Sequence, residues 1–387
     1  MSEEASASLY RHALLTGRET KMPLEVSFLF GGISTEYDGS VISLTNIVSS
    51  YLALHRTERP FSVRNLYHVS RNDGLVRRIA FHSAFTIGDL QAYLSDITTL
   101  SGRTLLETFG SVISRGEYVV NLLHGQFGED GGAQTLAALL GLSGTFGDPH
   151  VASLTMNKYA MSSFVSSLFP NDEVRIPKTV LLTARNVDDW RKLASSIQGP
   201  IVIKPNSLGS SLFAELFREP ARSEAEIDTL LRTIFTYDNS ALIQEFIPGE
   251  EYTCGCIIRS SEVIPLPVVR IDADRQFCSR DQKYPGNLSE KSVVNLNSAA
   301  SKSLQSAANV ITSSIALYNM VRFDFRVTHD SQIWFLECNY IPSLGEDSSF
   351  VKMLNHYGMT VVELIPWIAT NSAPLVKTDH YVNYESL

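Results

Sequence analysis

An apolar segment that runs into a glycine turn and then into a helical pattern occurs twice in the first third of the chain. The first is LEVSFLFGGIS, followed by VISLTNIVSSYLAL, and the second is EYVVNLLHGQFGEDGGAQTLAALLGL. Buried strands that alternate with helices predict a mostly parallel sheet with helices on its faces. We therefore predict an N-terminal α/β lobe over residues 21–146, preceded by a polar extension over residues 1–20.

The rest of the chain is expected to form two further lobes, because 387 residues suit two or three domains of about 100–200 residues each. Residues 147–243 predict a smaller α+β lobe, and residues 244–371 consist mostly of short strands with alternating polarity. The polar segment 273–297 is too long for an inert connection, and loops of this length are usually lids or disordered. The tail over residues 372–387 predicts only a polar extension.

Charge and hydropathy restrict the partners. The chain has 41 Asp+Glu against 32 Lys+Arg, a net charge of −9, which gives no electrostatic footprint for nucleic acid. No segment reaches the roughly 20 apolar residues that span a bilayer, and the N-terminus lacks an apolar signal core. We therefore expect a cytoplasmic protein with no nucleic acid or membrane partner. The cysteines lack zinc-type spacing and are expected to be reduced and buried: Cys254, Cys256, Cys278 and Cys338.

The segment MVRFDFRVTHDSQIWFLECNYIP predicts two alternating strands around a polar turn. A hairpin centred between Asp330 and Ser331 places Asp324 opposite Glu337. The same register places Arg322 opposite Asn339, so that two carboxylates and an amide oxygen converge on one face. A hard divalent cation such as Mg²⁺ would relieve the carboxylate repulsion. The side chains expected to pack behind this face are Phe323, Phe325, Leu336 and Cys338. The alternative is a solvated hairpin with salt bridges from Arg322 and Arg326.

A second signal is the strand IVIK followed by the loop PNSLGSS. Glycine and serine let backbone N–H groups approach a phosphate, and Lys204 at the strand end supplies a positive charge, with Lys158 as a second lysine. An ordinary hairpin turn is the alternative for this loop. Glu36, after the first glycine turn, lies where α/β folds bind ligands and could hold an ammonium group. It could equally be a helix N-terminal carboxylate, and the residues alone favour structural roles for His124 and Glu129.

Together these signals indicate an enzyme that binds ATP between two lobes with Mg²⁺. The chain resembles the D-alanine–D-alanine ligase family of the ATP-grasp superfamily, in order from about residue 24 to about residue 355. GGISTE is similar to the family's GGxSxE, HGQFGEDG to HGxxGEDG, and DQKYP to the AKY element of its lid. The resemblance implies the α/β ATP-grasp fold, with ATP between the central and C-terminal lobes. It also implies a ligase that joins two amino acids through an acyl phosphate.

The resemblance also assigns roles to individual residues. It implies catalytic roles for a hydrogen-bonded trio and an oxyanion-hole arginine: Glu36, Ser210, Tyr284 and Arg322. The residues that would bind ATP are Lys158, Lys204, Gly209, Ser211, Gln244, Glu245, Glu251 and Lys283. The ligands of Mg²⁺ would be Asp324, Glu337 and Asn339, with two ions expected and Mn²⁺ as a substitute. Amino-acid contacts would come from Glu36, His124, Arg322, Ser343 and Ser348. The family is commonly dimeric, which implies a homodimer.

Several positions depart from the family's pattern. EHEVS is replaced by Glu36-Tyr-Asp-Gly-Ser, GSSVG ends in Phe213, and Gln244 replaces a carboxylate. PGMT is replaced by PSLG, followed by Glu346 and Asp347, so the second-substrate pocket would disfavour an anionic side chain. Three hypotheses therefore stay open. They are a D-alanyl-D-alanine ligase, a specialised ligase with a different second substrate, and a non-catalytic ATP-binding protein.

Overall fold

The computed structural model describes residues 24–96, 101–259, 262–272, 290–315 and 317–371. Lys283, Tyr284 and Cys278 lie outside the described residues, as do both predicted terminal extensions and most of the polar segment. No helix within the described ranges is long and apolar enough to cross a membrane. The three described cysteines are unpaired and buried, as predicted.

The N-terminal sheet has the order β3-β2-β1-β4, in which β1 pairs in parallel with both β2 and β4 and only β3 is antiparallel. The mostly parallel sheet predicted from the sequence is therefore confirmed. Its strands are β1 (Glu25–Gly31), β2 (Ser62–Val69), β3 (Val76–Ala80) and β4 (Tyr118–Asn121). Its helices are α1 (Tyr37–Ala53), α2 (Ile87–Ser95), α3 (Leu105–Ser114) and α4 (Gly132–Leu140). Phe28 and Phe30 of β1 pack in one core with Leu44 and Ile47 of α1.

The central sheet is antiparallel throughout, with the order β5-β8-β6-β7. Its strands are β5 (Thr179–Thr183), β6 (Ile201–Pro205), β7 (Glu215–Phe217) and β8 (Ser240–Glu245). The helices of this region are α5 (Pro149–Met156), α6 (Lys158–Leu168), α7 (Trp190–Ala194) and α8 (Glu224–Ile234). α7 and α8 bury Trp190, Ile227 and Leu231 against one face of the sheet. β8 crosses the boundary predicted at residues 243/244, and the lobe boundaries stay predictions.

The C-terminal sheet is also antiparallel, with the order β12-β11-β9-β13-β14 and β10 paired to β9. Its strands are β9 (Glu250–Arg259), β10 (Glu262–Pro265), β11 (Val269–Asp272), β12 (Glu290–Val293), β13 (Met320–Val327) and β14 (Ile333–Asn339). Its helices are α9 (Ala299–Ser314), α10 (Ser349–Tyr357) and α11 (Val361–Asn371). α5 and α6 pack against β14, so this strand adjoins both the central and the C-terminal regions.

The hairpin of β13 and β14 has the predicted pairs at its functional end: Arg322 lies opposite Asn339, and Asp324 opposite Glu337. A β-bulge follows Asp324, and from there towards the turn Phe325 pairs with Phe335 instead of Leu336. Leu336 is therefore not packed behind the polar face, and that prediction is wrong. Its side chain lines the cleft beside Glu337, while Phe335 occupies the core.

Candidate active site

The two glycine turns meet at the carboxyl ends of β1 and β4. The chain continues from β1 to β2 on one side of it and later returns to β4 on the other side. Such a switch point leaves a crevice in which α/β folds bind ligands. The Ser34 hydroxyl joins the two turns, since it donates to the His124 carbonyl (2.6 Å) and accepts from the Glu36 N–H (3.0 Å). Ser40 adds a second link by accepting from Gly31 N–H and donating to the Leu122 carbonyl. The turns therefore hold Glu36 in a defined place.

Glu36 connects the N-terminal turns to the Gly/Ser loop of the central region. The Ser210 hydroxyl donates to Glu36 Oε1 at 2.7 Å, which brings together two members of the predicted trio. A Cβ atom at Gly209 would lie 2.4 Å from both carboxylate oxygens of Glu36, and one at Gly125 would lie 2.9 Å from Oε2. A side chain at Gly209 or Gly125 would displace the Glu36 carboxylate from this position. Tyr284, the third member of the trio, lies outside the described residues.

His124 and Glu129 are buried under the second turn. Burial lowers the pKa of His124 to about 4, so the ring is neutral at pH 7, and its Nε2 lies 3.2 Å from the Ser43 hydroxyl. Glu129 accepts from Gly125 N–H (2.7 Å) and from Ile341 N–H (2.8 Å). Burial, assisted by the charge of Glu36, raises the pKa of Glu129 to about 8. Through its two hydrogen bonds Glu129 ties the turn to the segment after β14, in agreement with its predicted structural role.

Lys158 and Lys204 line the same cleft as Glu337. Lys158 is the first residue of α6, and its Nζ donates to the Leu208 carbonyl (2.7 Å) and lies 3.7 Å from Glu337 Oε2. Lys204 is on β6, where burial lowers its pKa to about 8 against the opposing effect of Glu337, and Lys158 lowers it further. Two cations that line one cleft favour a polyanion such as a triphosphate there.

The Gly/Ser loop is held in an unusual backbone conformation. Ser210, Ser211 and Phe213 all have left-handed φ angles, of 53°, 52° and 56°, a region that costs non-glycine residues free energy. The Phe213 ring packs against the Tyr237 ring with the centroids 5.1 Å apart and the ring planes tilted by 31°. This contact gives a physical reason for an aromatic residue at a position where the resemblance leads one to expect glycine.

A cleft between the central and C-terminal sheets contains most of the residues assigned to ATP. Its lining residues are Lys158, Pro177, Val202, Lys204, Pro205, Leu208, Ser211, Leu212, Ala214, Gln244, Glu245, Phe246, Ile247, Glu251, Asp324, Arg326, Leu336 and Glu337. Gln244 donates to Thr179 Oγ1 (2.9 Å), and Glu245 accepts from the Lys178 N–H (2.6 Å). Glu251 accepts from Arg326 at 3.0 Å. A cleft lined by apolar side chains together with a few charged ones suits a nucleotide.

The predicted magnesium ligands are brought together on the hairpin. Asn339 Nδ2 lies 3.2 Å from Asp324 Oδ2, and Glu337 is directly across from Asp324. Arg322 makes two hydrogen bonds to Asp324, at 3.0 and 2.9 Å. Burial disfavours the charge of Arg322, but the carboxylates of Asp324, Glu337 and Glu129 together outweigh burial and raise the pKa of the guanidinium. Two carboxylates and an amide on one face form an oxygen donor set that fits Mg²⁺.

The segment after β14 contacts α1. Ser43 Oγ accepts from Leu344 N–H at 3.0 Å and lies 3.5 Å from Ser343 Oγ, while Asn46 donates to the Leu344 carbonyl at 2.7 Å. Sequence reasoning missed Ser43, which lies on α1 two turns after Glu36, the residue that precedes the helix. The Ser348 hydroxyl caps α10 by accepting from Val351 N–H.

Comparison with known proteins agrees with this geometry. The family model described as "D-ala D-ala ligase C-terminus" matches residues 175–370. D-alanine–D-alanine ligase of Porphyromonas gingivalis W83 is 29% identical over 252 residues, which are 65% of this chain and 74% of that protein. The enzyme of the same name from Christiangramia forsetii is 24% identical over 89% of this chain and 96% of its own length.

Solved structures show the same fold. VanG D-Ala:D-Ser ligase from Enterococcus faecalis covers 90% of this chain and 98% of its own, with a TM-score of 0.68 and 21% identity. The D-alanine–D-alanine ligase from Coxiella burnetii covers 90% of this chain and 95% of its own, with a TM-score of 0.67 and 19% identity. These neighbours have the ATP-grasp fold, so the predicted fold class is confirmed. Because the family model matches half of its residues, the chain belongs to the D-alanine–D-alanine ligase family.

Proposed function

We propose that this protein is an ATP-dependent ligase that joins the carboxylate of one amino acid to the amine of a second, through an acyl phosphate, with release of ADP and phosphate. The observation that carries the proposal is the convergence of Lys158, Lys204 and the Asp324–Glu337 pair on one cleft. The Ser210–Glu36 hydrogen bond joins this cleft to the glycine turns of the N-terminal lobe. Relatives named D-alanine–D-alanine ligase support this proposal.

The chain's own residues account for each requirement of phosphoryl transfer. Glu36 binds the ammonium group of the first amino acid and thereby aims its carboxylate towards the nucleotide cleft. Lys158 and Lys204 neutralise the γ-phosphate as the carboxylate attacks it, since positioning and charge neutralisation dominate this chemistry. Mg²⁺ held by Asp324, Glu337 and Asn339 would supply further neutralisation of the phosphate oxygens.

The second step is the attack of an amine on the acyl phosphate. The tetrahedral carbon acquires a negative oxygen, and the Arg322 guanidinium is a fixed cation beside it, with the backbone N–H of Ser343 as second donor. Ser348 is assigned to the carboxylate of the second amino acid through its hydroxyl and the helix end that it caps. Tyr284 and Lys283 are assigned to a lid that excludes water, because an acyl phosphate hydrolyses readily.

Three finer features of the proposal rest on the resemblance alone. They are two Mg²⁺ ions, replacement of Mg²⁺ by Mn²⁺, and a homodimer. A cytoplasmic location is proposed from the hydropathy of the sequence. The cleft argues against the non-catalytic alternative, because both lysines, Arg322 and the oxygen ligands stand together.

The test is ADP release from Mg²⁺-ATP across D- and L-amino acids and D-lactate, singly and in pairs, with the mass of each product. We expect ADP release that depends on an amino acid. We also expect a product whose mass is that of the two joined substrates less one water. Absence of ADP release with every pair would refute the proposed function.

A further inference from the structure

Arg326 is a buried cation in the wall of the nucleotide cleft. Its side chain is only 5% exposed, whereas a solvated hairpin would leave it in water. It lines the cleft together with Phe246, Ile247 and Glu251. A guanidinium stays charged when it is buried, so its donors must find acceptors inside the protein. The partners of Arg326 therefore indicate what it does.

Three contacts fix this guanidinium. Arg326 Nη2 donates to Glu251 Oε2 at 3.0 Å, and Nη1 donates to the Ile247 carbonyl at 3.2 Å. The guanidinium carbon lies 5.3 Å from the centre of the Phe246 ring, within the range of a cation–π contact. Arg326 on β13 is also directly opposite Glu251 on β9. Arg326 thus joins the strand of the metal ligands to the segment 246–249 between β8 and β9.

The orientation of Glu251 depends on this contact. Among the described residues, Arg326 is the one hydrogen-bond donor to the Glu251 carboxylate. One oxygen is held by the guanidinium, and the side chain lines the cleft and is 14% exposed. An ionised carboxylate accepts hydrogen bonds and cannot donate them. In a nucleotide cleft it therefore suits the hydroxyl groups of a ribose and repels the phosphates.

The strand geometry places the ribose at Glu251. Arg326 follows Asp324 by two residues on β13, so both side chains point to the same face about 7 Å apart along the strand. Asp324 lies at the end of the cleft proposed for Mg²⁺ and the phosphates, with Lys158 and Lys204. The phosphate chain of a nucleotide can span this separation. A nucleotide whose phosphates reach Asp324 can therefore put its ribose beside Glu251.

We propose that Arg326 is a positioning residue for the nucleotide. It holds Glu251 so that the second carboxylate oxygen accepts a hydrogen bond from the ribose, and the protein thereby selects ribonucleotides over deoxyribonucleotides. The inference rests on the proposed function, which puts ATP in this cleft. The alternative is an ion pair that only stabilises the sheet. Buried ion pairs are weak stabilisers, because the cost of desolvation offsets their attraction, and this pair lines a cleft.

The test is calorimetric binding of ADP, 2′-deoxy-ADP and 3′-deoxy-ADP with Mg²⁺ and without amino acids. The wild-type protein should bind ADP about tenfold more tightly than at least one deoxynucleotide, which lacks a donor to a charged acceptor. Arg326→Met keeps an apolar side chain of similar length beside Phe246 but removes the charge and the donors. It should weaken ADP binding by about tenfold and leave binding of that deoxynucleotide nearly unchanged.

Arg270→Met is the matched control. Arg270 is on β11 of the same sheet, its guanidinium lies 3.4 Å from the Glu250 carboxylate, and it is not among the residues that line the cleft. Its replacement should leave the binding of all three nucleotides unchanged. Glu251→Gln should lower the discrimination as Arg326→Met does, and the double variant should lower it no further, because the two residues act as one unit.

Thermal unfolding shows whether each variant is folded. Should Arg326→Met not fold, Arg326→Lys takes its place, since it keeps the charge but lacks the second donor arm, and it should lose part of the discrimination. Selection of ADP that the Arg326 variant removes supports the inference even if no pair of amino acids gives ADP release. Equal weakening of all three nucleotides in that variant overturns it.

Equal affinity of the wild-type protein for ADP and both deoxynucleotides also overturns the inference, and it leaves the ligase function standing if ADP release is observed. Binding of none of the three nucleotides overturns the inference as well.

Discussion

Ser210→Ala tests whether the hydrogen bond between the Gly/Ser loop and Glu36 closes the nucleotide site. The Ser210 hydroxyl donates to the Glu36 carboxylate at 2.7 Å, and the neighbouring Ser211 lines the nucleotide cleft. Loss of the hydroxyl should let the loop move away from the cleft. We therefore expect weaker capture of ATP, with the lysines and the metal ligands undisturbed.

The magnitude follows from the opposing contributions to the loop. A hydrogen bond to a charged group contributes about 1.5–3 kcal/mol, and the lower value applies because Ser210 is exposed. Left-handed backbone costs about 1–2 kcal/mol for each of Ser210, Ser211 and Phe213, whereas the packing of Phe213 against Tyr237 contributes about 0.5–1.5 kcal/mol. The backbone costs total about 3–6 kcal/mol and exceed the gains of about 2–3 kcal/mol, so these contributions leave no surplus that would hold the loop closed without the Ser210 hydrogen bond. Removal of about 1.5 kcal/mol should lower its population, and with it kcat/KM for ATP, by about tenfold.

The assay is ADP release against ATP concentration, with both amino acids saturating. Ser207→Ala is the control, since Ser207 is on the same loop and is held through its backbone N–H, which donates to Asp238 at 2.6 Å. We expect Ser207→Ala to retain kcat/KM for ATP. A Ser210→Ala protein with wild-type kcat/KM for ATP would refute the reasoning.

Three further changes have defined outcomes. Above about pH 8, where Lys204 loses its charge, kcat/KM for ATP should fall up to about tenfold per pH unit. Lys204→Arg, which stays charged, should remove that decline. A decline that persists in this variant would contradict the assignment of the decline to Lys204. Arg322→Ala should lower kcat by about 10²–10³, as for loss of one oxyanion donor, with thermal unfolding as the check on folding and normal turnover as the contrary result. Burial opposes ionisation of Glu117, but hydrogen bonds from Ser27 and Arg115 lower its pKa, so its stabilisation is present at neutral pH and is lost as pH falls below its unfolded pKa of about 4.3. Glu117→Leu leaves the buried Ser27 and Asn65 side chains without their acceptor, so it should cost about 1–3 kcal/mol at pH 7 by urea unfolding, and an unchanged midpoint would exclude this role.

The local features of the fold could be predicted because they depend on periodicity. Strand, glycine turn and helix follow one another within about 30 residues in each N-terminal unit, so the parallel sheet was accessible from the sequence. The contact of Ser43 with Leu344 N–H could not be predicted from the sequence, because the two residues are 301 positions apart. The pairing of Phe213 with Tyr237 escaped prediction for the same reason. Long-range packing of this kind leaves no periodic signal in the sequence.

The hairpin shows that a residue pair can be predicted correctly although the register at the turn was predicted incorrectly. Near its turn the strands pair as Phe325 with Phe335, one residue away from the predicted register. Continued without interruption, that pairing would put Leu336 opposite Asp324 and turn Glu337 into the core. The bulge adds one residue to β14, so that Leu336 and Glu337 both face the cleft and Glu337 reaches Asp324. The predicted register was wrong by one residue at the turn, and the bulge, which was not predicted, shifts the register back by one residue. The two errors therefore cancel at Asp324 and Glu337. The bulge therefore places Glu337 opposite Asp324, as the proposed metal site requires, and it also supplies Leu336 as an apolar surface of the cleft.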